Sequence, residues 1–200
     1  MVLFSNAYSY HSRRCIAVLR HLELDVEVRE VNLGEGEHHS PEFAALNPNR
    51  KVPVLVDDDL TLWESIAIVH YLSDKRPGIL VPDTASGRAD VLRWQNWTVS
   101  RFNSATAVFL HENMVKAFFG LGPPDTARVE ATTPEIIACF DLLEANLSGQ
   151  HFLCGEDVSL ADFTLYPTFE HGEVIGLPST DGHPALRQWC ERMAALPAFG

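Results

Sequence analysis

The sequence predicts an α/β domain built on a mixed four-stranded sheet, followed by a domain made of helices alone. Three observations carry this. Within the first 76 residues, short apolar runs and amphipathic stretches alternate in the order β-α-β and then β-β-α. From Pro77 to Ser86 the periodicity stops, and the run Pro-Gly-Ile-Leu-Val-Pro-Asp-Thr reads as a linker. Beyond Gly87 no alternating strand pattern returns. The expected boundaries are therefore 1–76 for the first domain, 77–86 for the linker and 87–200 for the helical domain.

Each element has its own signal. Val2-Leu3-Phe4 is a short apolar run suited to a buried strand. After a polar stretch from Ser5 to Ser12, residues Cys15, Ile16, Val18, Leu19 and Leu22 recur at helical spacing, with Arg13, Arg14 and Arg20 on other faces. Asp25 to Val31 reads with a period of two, the pattern of a half-buried strand. Val54-Leu55-Val56, Asp57-Asp58-Asp59 and Leu60-Thr61-Leu62 make strand, acidic turn and strand, a hairpin. Glu64 to Lys75 is a second helix, apolar at Ile66, Ile68, Val69 and Leu72, with an acid at its start and Lys75-Arg76 at its end to suit the macrodipole. In the second half, Gly87–Phe119, Pro134–Leu147, Leu160–Phe169 and Pro184–Leu196 read as helices, interrupted by a loop at Gly120–Pro124.

Composition narrows the function. With 200 residues, 46% of them hydrophobic and 21% charged, the chain has the make-up of an ordinary folded protein. Its 15 basic and 27 acidic side chains give a net charge of −12. Such a chain repels phosphate backbones and anionic lipid surfaces, so no nucleic acid and no membrane is expected as a partner. No run of 18 apolar residues exists, and Met1 to Asn6 lacks the basic n-region of a signal peptide. Four scattered cysteines (Cys15, Cys139, Cys154, Cys190) with no C-x-x-C suit neither a disulfide framework nor a zinc ribbon, which points to the cytoplasm. The triplets at Asn96 and Asn146 fall in helical patterns and read as chance matches to a glycosylation site.

Four segments can carry chemistry. In Asn47-Pro48-Asn49-Arg50-Lys51-Val52-Pro53-Val54-Leu55, a proline stands directly before a buried strand. Pro53 cannot donate a ladder hydrogen bond. Either it is a trans proline that starts the strand, or a cis turn that offers the N–H and C=O of Val52 to an extended peptide ligand. Trp63-Glu64-Ser65 is a strand-to-helix corner: either an ordinary cap, or a site where Ser65 and first-turn amides hold a carboxylate while Glu64 takes an ammonium. Those two groups on one carbon make an amino-acid head group. The loop Glu37-His38-His39-Ser40, with Arg50 and Lys51 following, is a basic cluster in an acidic chain and marks an anion site. Its adjacent histidines lack a third ligand, so no metal is expected, and the remaining histidines read as scattered surface or core residues. Finally, Tyr8-Ser9-Tyr10-His11-Ser12-Arg13-Arg14 leads into the first helix. A hydroxyl here is either an N-cap, for which Ser12 is the better placed, or a donor to a thiolate that also feels the helix dipole.

Together these pieces resemble the cytosolic glutathione transferase family across essentially the whole chain. Asn-Pro-x-x-Lys-Val-Pro-Val-Leu, followed by Glu-Ser at a helix start, is specific in combination. Val158-Ser159-Leu160-Ala161-Asp162-Phe163 reads as a capping box with Ser159 at the N-cap and Asp162 at N3, Val158 stapling to Phe163, and is similar to the family's motif in its C-terminal domain. Phe152-Leu153-Cys154-Gly155 before it is similar as well. The resemblance implies a thioredoxin-like N-terminal domain that binds glutathione. Pro53 would be its cis proline and Val52 would pair with the cysteinyl backbone. Glu64 and Ser65 would hold the γ-glutamyl group, and Lys51 and His38, assisted by His39, the glycine carboxylate. Ser9-x-x-Ser12-Arg13 is similar to the serine-type arrangement of theta- and phi-like members, including bacterial ones, in which the first serine activates the thiol. Ala7 stands where a proline is common, so Tyr8, Tyr10 and Ser12 rival Ser9.

The implied activity is that of a glutathione S-transferase, which ionises the glutathione thiol and transfers it to a small hydrophobic electrophile. Glutathione is then a co-substrate, and no metal is needed. A dehalogenase, isomerase or peroxidase would share the activated thiol; a non-catalytic interaction module of the same fold would typically lose Glu64-Ser65, His38 and Lys51. A homodimer is expected from the resemblance, and because Trp94, Trp97, Phe102, Phe109, Met114, Phe118 and Phe119 make the first long helix of the second half unusually aromatic. Some of these residues would line the electrophile pocket.

Overall fold

β1 (Val2–Ser5) lies inside the sheet of the first unit, paired with a strand on each side. It pairs in parallel with β2 (Glu27–Glu30) and antiparallel with β3 (Val54–Asp57), and β3 continues into β4 (Leu60–Trp63), giving the order β2-β1-β3-β4. Leu3 lies opposite Leu55 in the register and both are fully buried. The hairpin turn holds Asp58 at φ 50°, a left-handed position that aspartate tolerates. α1 (Tyr10–His21) and α3 (Ser65–Asp74) pack against each other, burying Cys15, Val18 and Leu19 from one and Ile68, Val69 and Leu72 from the other. The mixed four-stranded sheet and the helices that follow it agree with the sequence reading.

The computed structural model describes residues 1–200 and separates into two units: Met1–Pro82 with Pro197–Gly200, and Asp83–Leu196. Arg20 of α1 donates to the carbonyls of Ala198 (3.4 Å) and Gly200 (3.2 Å), and Ala198 is buried, which ties the final turn, Pro197–Phe199, to the first unit.

Two elements of this unit differ from expectation. β2 is shorter than Asp25–Val31 and exposed along its whole length, because it is an edge strand paired only with β1. The apolar side chain that counts lies just past it: Val31 is buried in a cluster with Phe43 and Val54, against which Phe4, Leu33, Leu46 and Val52 pack. Phe43 arrives there on α2 (Pro41–Leu46), a helix absent from the sequence reading. Its start is encoded plainly, with the Ser40 side chain accepting from the Phe43 amide and Pro41 in the first turn.

The second unit is helical throughout. α4 (Ala85–Trp97), α5 (Asn103–Leu110) and α6 (Lys116–Phe119) form one run, joined by π-helical turns at Thr98–Phe102 and His111–Val115 and ended by Gly120 at φ 64°. α7 (Thr126–Leu147) starts well before Pro134, since Asp125 caps it by accepting from the Arg128 amide. Pro134 therefore sits inside the helix rather than at its first turn. α8 (Leu160–Glu170), α9 (Gly172–Ile175) and α10 (Pro184–Ala194) complete the unit. The capping box at Ser159 is present. Asp162, fully buried, accepts from the Ser159 amide (2.9 Å), the Leu153 amide (2.9 Å) and the Trp189 indole (2.8 Å). Trp94, Phe102 and Phe109 belong to the core, whereas Phe118 and Phe119 are exposed. No helix is long and apolar enough to cross a membrane.

Candidate active site

A cavity of about 300 Å³ in the first unit collects the chemistry-bearing segments. Lys51, Val52, Pro53, Glu64 and Ser65 line it, joined by His11, Asn47 and Asn49. The Val52–Pro53 peptide is cis rather than trans. Asn47, itself buried, shapes the approach to it. Its Nδ2 donates to the Lys51 carbonyl at 2.7 Å, and its Oδ1 accepts from the Asn49 amide at 2.9 Å.

Glu64 and Ser65 form the corner between β4 and α3. Glu64 is exposed and adopts φ 72°, ψ 111°, a conformation that costs a non-glycine residue on the order of 1–3 kcal/mol. Its carbonyl accepts the first bond of the helix from Ile68, but its side chain caps nothing, so the carboxylate stays available at the cavity. Ser65 is the first residue of α3 rather than its cap. Its Oγ accepts from Arg14 Nη1 at 3.2 Å and lies 3.4 Å from His11 Nδ1.

Beneath Ser65 the field is positive. Arg14 is fully buried, its Nε and Nη2 have no partner, and burial pulls its pKa down to about 10, with the ionised forms of Cys15 and Tyr10 acting the other way. Burial pushes the Cys15 thiol up to about 12, so it stays protonated. Burial, then the charges of Arg14 and Lys51, lower His11 to about 3, so its imidazole is neutral.

The four candidate hydroxyls separate by position. Ser9, half-buried, is the N-cap of α1 and accepts from the Ser12 amide at 3.3 Å. Ser12 is not the cap, because the helix begins at Tyr10, ahead of it; its fully buried Oγ instead accepts from the Asn6 amide at 3.2 Å. Tyr10 is buried, with its phenol pKa raised mainly by desolvation, and Tyr8 is 66% exposed. The cap is fixed in place by Asn6, whose Nδ2 donates to Glu30 Oε1 (2.9 Å) and the Val31 carbonyl (3.0 Å) while its Oδ1 accepts from the Tyr8 amide (3.0 Å). Ser9 does not line the cavity, and neither do His38 and His39. Those two histidines share one 3₁₀ turn, Glu37–His39, with ring centroids 3.9 Å apart. No three or more His, Cys, Asp or Glu side chains gather as a metal site.

Sequence reasoning missed His11, Asn47, Asn49 and Arg14. By sequence His11 reads as one of the scattered histidines; its place in the first turn of α1, two residues past Ser9, is the available signal. The second unit holds another cavity, about 450 Å³, lined by Phe140, Tyr166, Phe169 and Cys190 among others, and none of the aromatic residues nominated from the first long helix faces it.

Comparison with known proteins agrees with this geometry. Residues 1–74 match the glutathione S-transferase N-terminal domain, and residues 109–197 the C-terminal domain. Glutathione S-transferase 3 of Zea mays is 33% identical over 191 residues, 93% of this chain and 85% of that protein. Glutathione S-transferase theta-1 of Homo sapiens is 36% identical over 179 residues, 86% of this chain and 73% of its own length. The crystal structure of glutathione transferase F7 from Populus trichocarpa matches with a TM-score of 0.90 at 30% identity, covering 99% of this chain and 95% of that one. With both halves matched by family models and nearly the whole length shared with such relatives, the chain belongs to the glutathione S-transferase family.

Proposed function

We propose that this chain ionises the thiol of glutathione and transfers it to a small apolar electrophile, with Ser9 as the activating hydroxyl. The observation that carries the reading is the convergence of Lys51, Val52, Pro53, Glu64 and Ser65 on one cavity. The backbone of Val52, beside a proline that has no N–H, pairs with the cysteinyl backbone of glutathione. Glu64 takes the ammonium of the γ-glutamyl group, and Ser65 with the free first-turn amides of α3 takes its carboxylate. Lys51, with His38 and His39, balances the glycine carboxylate at the far end. The organisation into 1–76, 77–86 and 87–200 is part of the same proposal; the separation of units between Pro82 and Asp83 falls inside the proposed linker, whereas Pro197–Gly200 packs with the first unit.

Ser9 suits its role because a capping serine uses a lone pair for the helix amide and keeps its proton to give away. The energetics suffice. A thiol with pKa near 8.5 needs about 2.7 kcal/mol of preferential thiolate stabilisation to drop by about two units. One hydroxyl donated to an anion contributes about 1.5–3 kcal/mol and a helix N-terminus about 0.3–1 kcal/mol. Ser9→Ala should therefore raise the pKa of bound glutathione, read from thiolate absorbance, by about one to two units with little change in affinity. If Tyr8→Phe does this and Ser9→Ala does not, the activator is the phenol. A protein that fails to bind and elute from a glutathione resin would instead be a non-catalytic interaction module.

The partner state belongs to the proposal too. Leu92 (43% exposed), Val99, Phe118 and Phe119 leave apolar surface along the run 85–119, which supports a homodimer. The four cysteines are all unpaired and suit a reducing cytoplasm.

A further inference from the structure

On the reading just given, the cavity holds one more group toward the glutathione head than the sequence motifs supply. His11 stands beside Glu64 and Ser65 in the same cavity, its Nδ1 3.4 Å from Ser65 Oγ. Arg14 Nη1 donates to that oxygen from the protein interior at 3.2 Å. A guanidinium can only donate, and a serine hydroxyl has one proton. Arg14 therefore occupies one of the two acceptor positions on Oγ, which leaves the hydroxyl proton free to be given to His11 Nδ1. A neutral imidazole that accepts at Nδ1 carries its own proton on Nε2, as a donor to offer a ligand.

The surrounding charge selects the ligand group. Arg14 is fully buried with Nε and Nη2 unpartnered, and Lys51 lines the same cavity. A buried cation without a counter-ion is costly to the protein, and a carboxylate set between the Ser65 amide and His11 would supply one. The same two cations, together with burial, hold the imidazole neutral, its pKa near 3, so it donates one proton without adding charge.

We propose that His11 is a specificity-determining residue of the glutathione site: held by Ser65, its imidazole donates Nε2–H to the α-carboxylate of the γ-glutamyl group, and the Arg14 guanidinium behind Ser65 is the counter-charge. Calorimetry with glutathione, and with γ-aminobutyryl-cysteinyl-glycine, which lacks only that carboxylate, tests this. His11→Ala should weaken glutathione about tenfold to a hundredfold, the range for one hydrogen bond to a charged group, and leave the analogue's affinity unchanged. His11→Gln, which keeps an amide donor near the position of Nε2, should recover most of the loss. In the unsubstituted protein, imidazole ¹⁵N spectra should show His11 as the Nε2–H tautomer and should respond to glutathione but not to the analogue, a readout that stands even if the alanine variant does not fold. An equal loss for both ligands, no loss for either, or a ring signal indifferent to glutathione would overturn the role. Failure of the unsubstituted protein to bind glutathione would overturn the functional reading instead, and the first titration reveals it before any variant is made.

Discussion

At the scale of single residues, the proposed site divides into groups that would hold glutathione and one that would activate it. On that proposal Glu64 and Lys51 meet parts of the ligand that do not react, so their loss removes binding shared by ground and transition states. Glu64→Ala should raise KM for glutathione several-fold with kcat nearly unchanged in steady-state assays; a hundredfold fall in kcat at constant KM would sink the head-group assignment. Lys51→Ala should do the same at low ionic strength and lose its effect in high salt, because Lys51 is exposed and its charge is screened. His11 also carries a stability consequence. Its pKa in the folded protein lies below the unfolded value of about 6.5, so unfolded chains bind more protons between roughly pH 6.5 and pH 3. The contribution is complete above pH 6.5 and is lost as pH falls through that window, at up to about 1.4 kcal/mol per unit. Chemical denaturation should accordingly show His11→Gln losing less stability than the parent between pH 6.5 and pH 5.

At the scale of elements, the helical run 85–119 is anchored by one buried acid. Glu112 is 1% exposed, pairs with Lys116 and with Arg128 Nη1 (3.1 Å), and accepts from the Asp125 amide (2.9 Å), joining the end of the run to the start of α7 across the Gly120–Pro124 loop. The Lys116 hydrogen bond, followed by that of Asp125, lowers its pKa to about 2. A depressed carboxylate stabilises fully above its unfolded value near 4.5 and loses that contribution as pH falls toward 2. Glu112→Gln should melt below the parent at pH 7, and the gap in Tm should narrow below pH 4.5 and close near pH 2. Elements of this kind mark the limit of what the sequence reveals. β1, α1 and α3 were legible because each buries its own periodic face, the hairpin because the acidic run Asp57-Asp58-Asp59 parts two short apolar runs, and Ser159 with Asp162 because a capping box is local. β2 misled because its alternation describes an edge rather than a face, and α7 because Pro134 imitates a first turn. In the site, the motif residues of 51–53 and 64–65 were readable in order along the chain. His11 and Arg14 were not, since their importance arises only when α1 packs on α3 and brings them to Ser65.

At the scale of the whole molecule, net charge and apolar surface oppose each other. A charge of −12 keeps copies apart, while Leu92, Val99, Phe118 and Phe119 offer a surface for association. Sedimentation should give about twice 22.3 kDa at micromolar protein, with the dimer tightening as salt screens the repulsion; a 22.3 kDa species under those conditions would exclude the homodimer. The return of Pro197–Gly200 to the first unit matters for a chain made from one end. The first unit is interrupted by the second, and its last piece leaves the ribosome after Leu196. At 5–20 residues per second, the back of α1 waits about 6–23 s for Ala198 to cover it. During that interval the nascent first unit already has its cavity-lining residues but not its final turn. A stalled chain ending before Pro197 would therefore be the form of this protein that a chaperone or protease meets with α1 still uncovered.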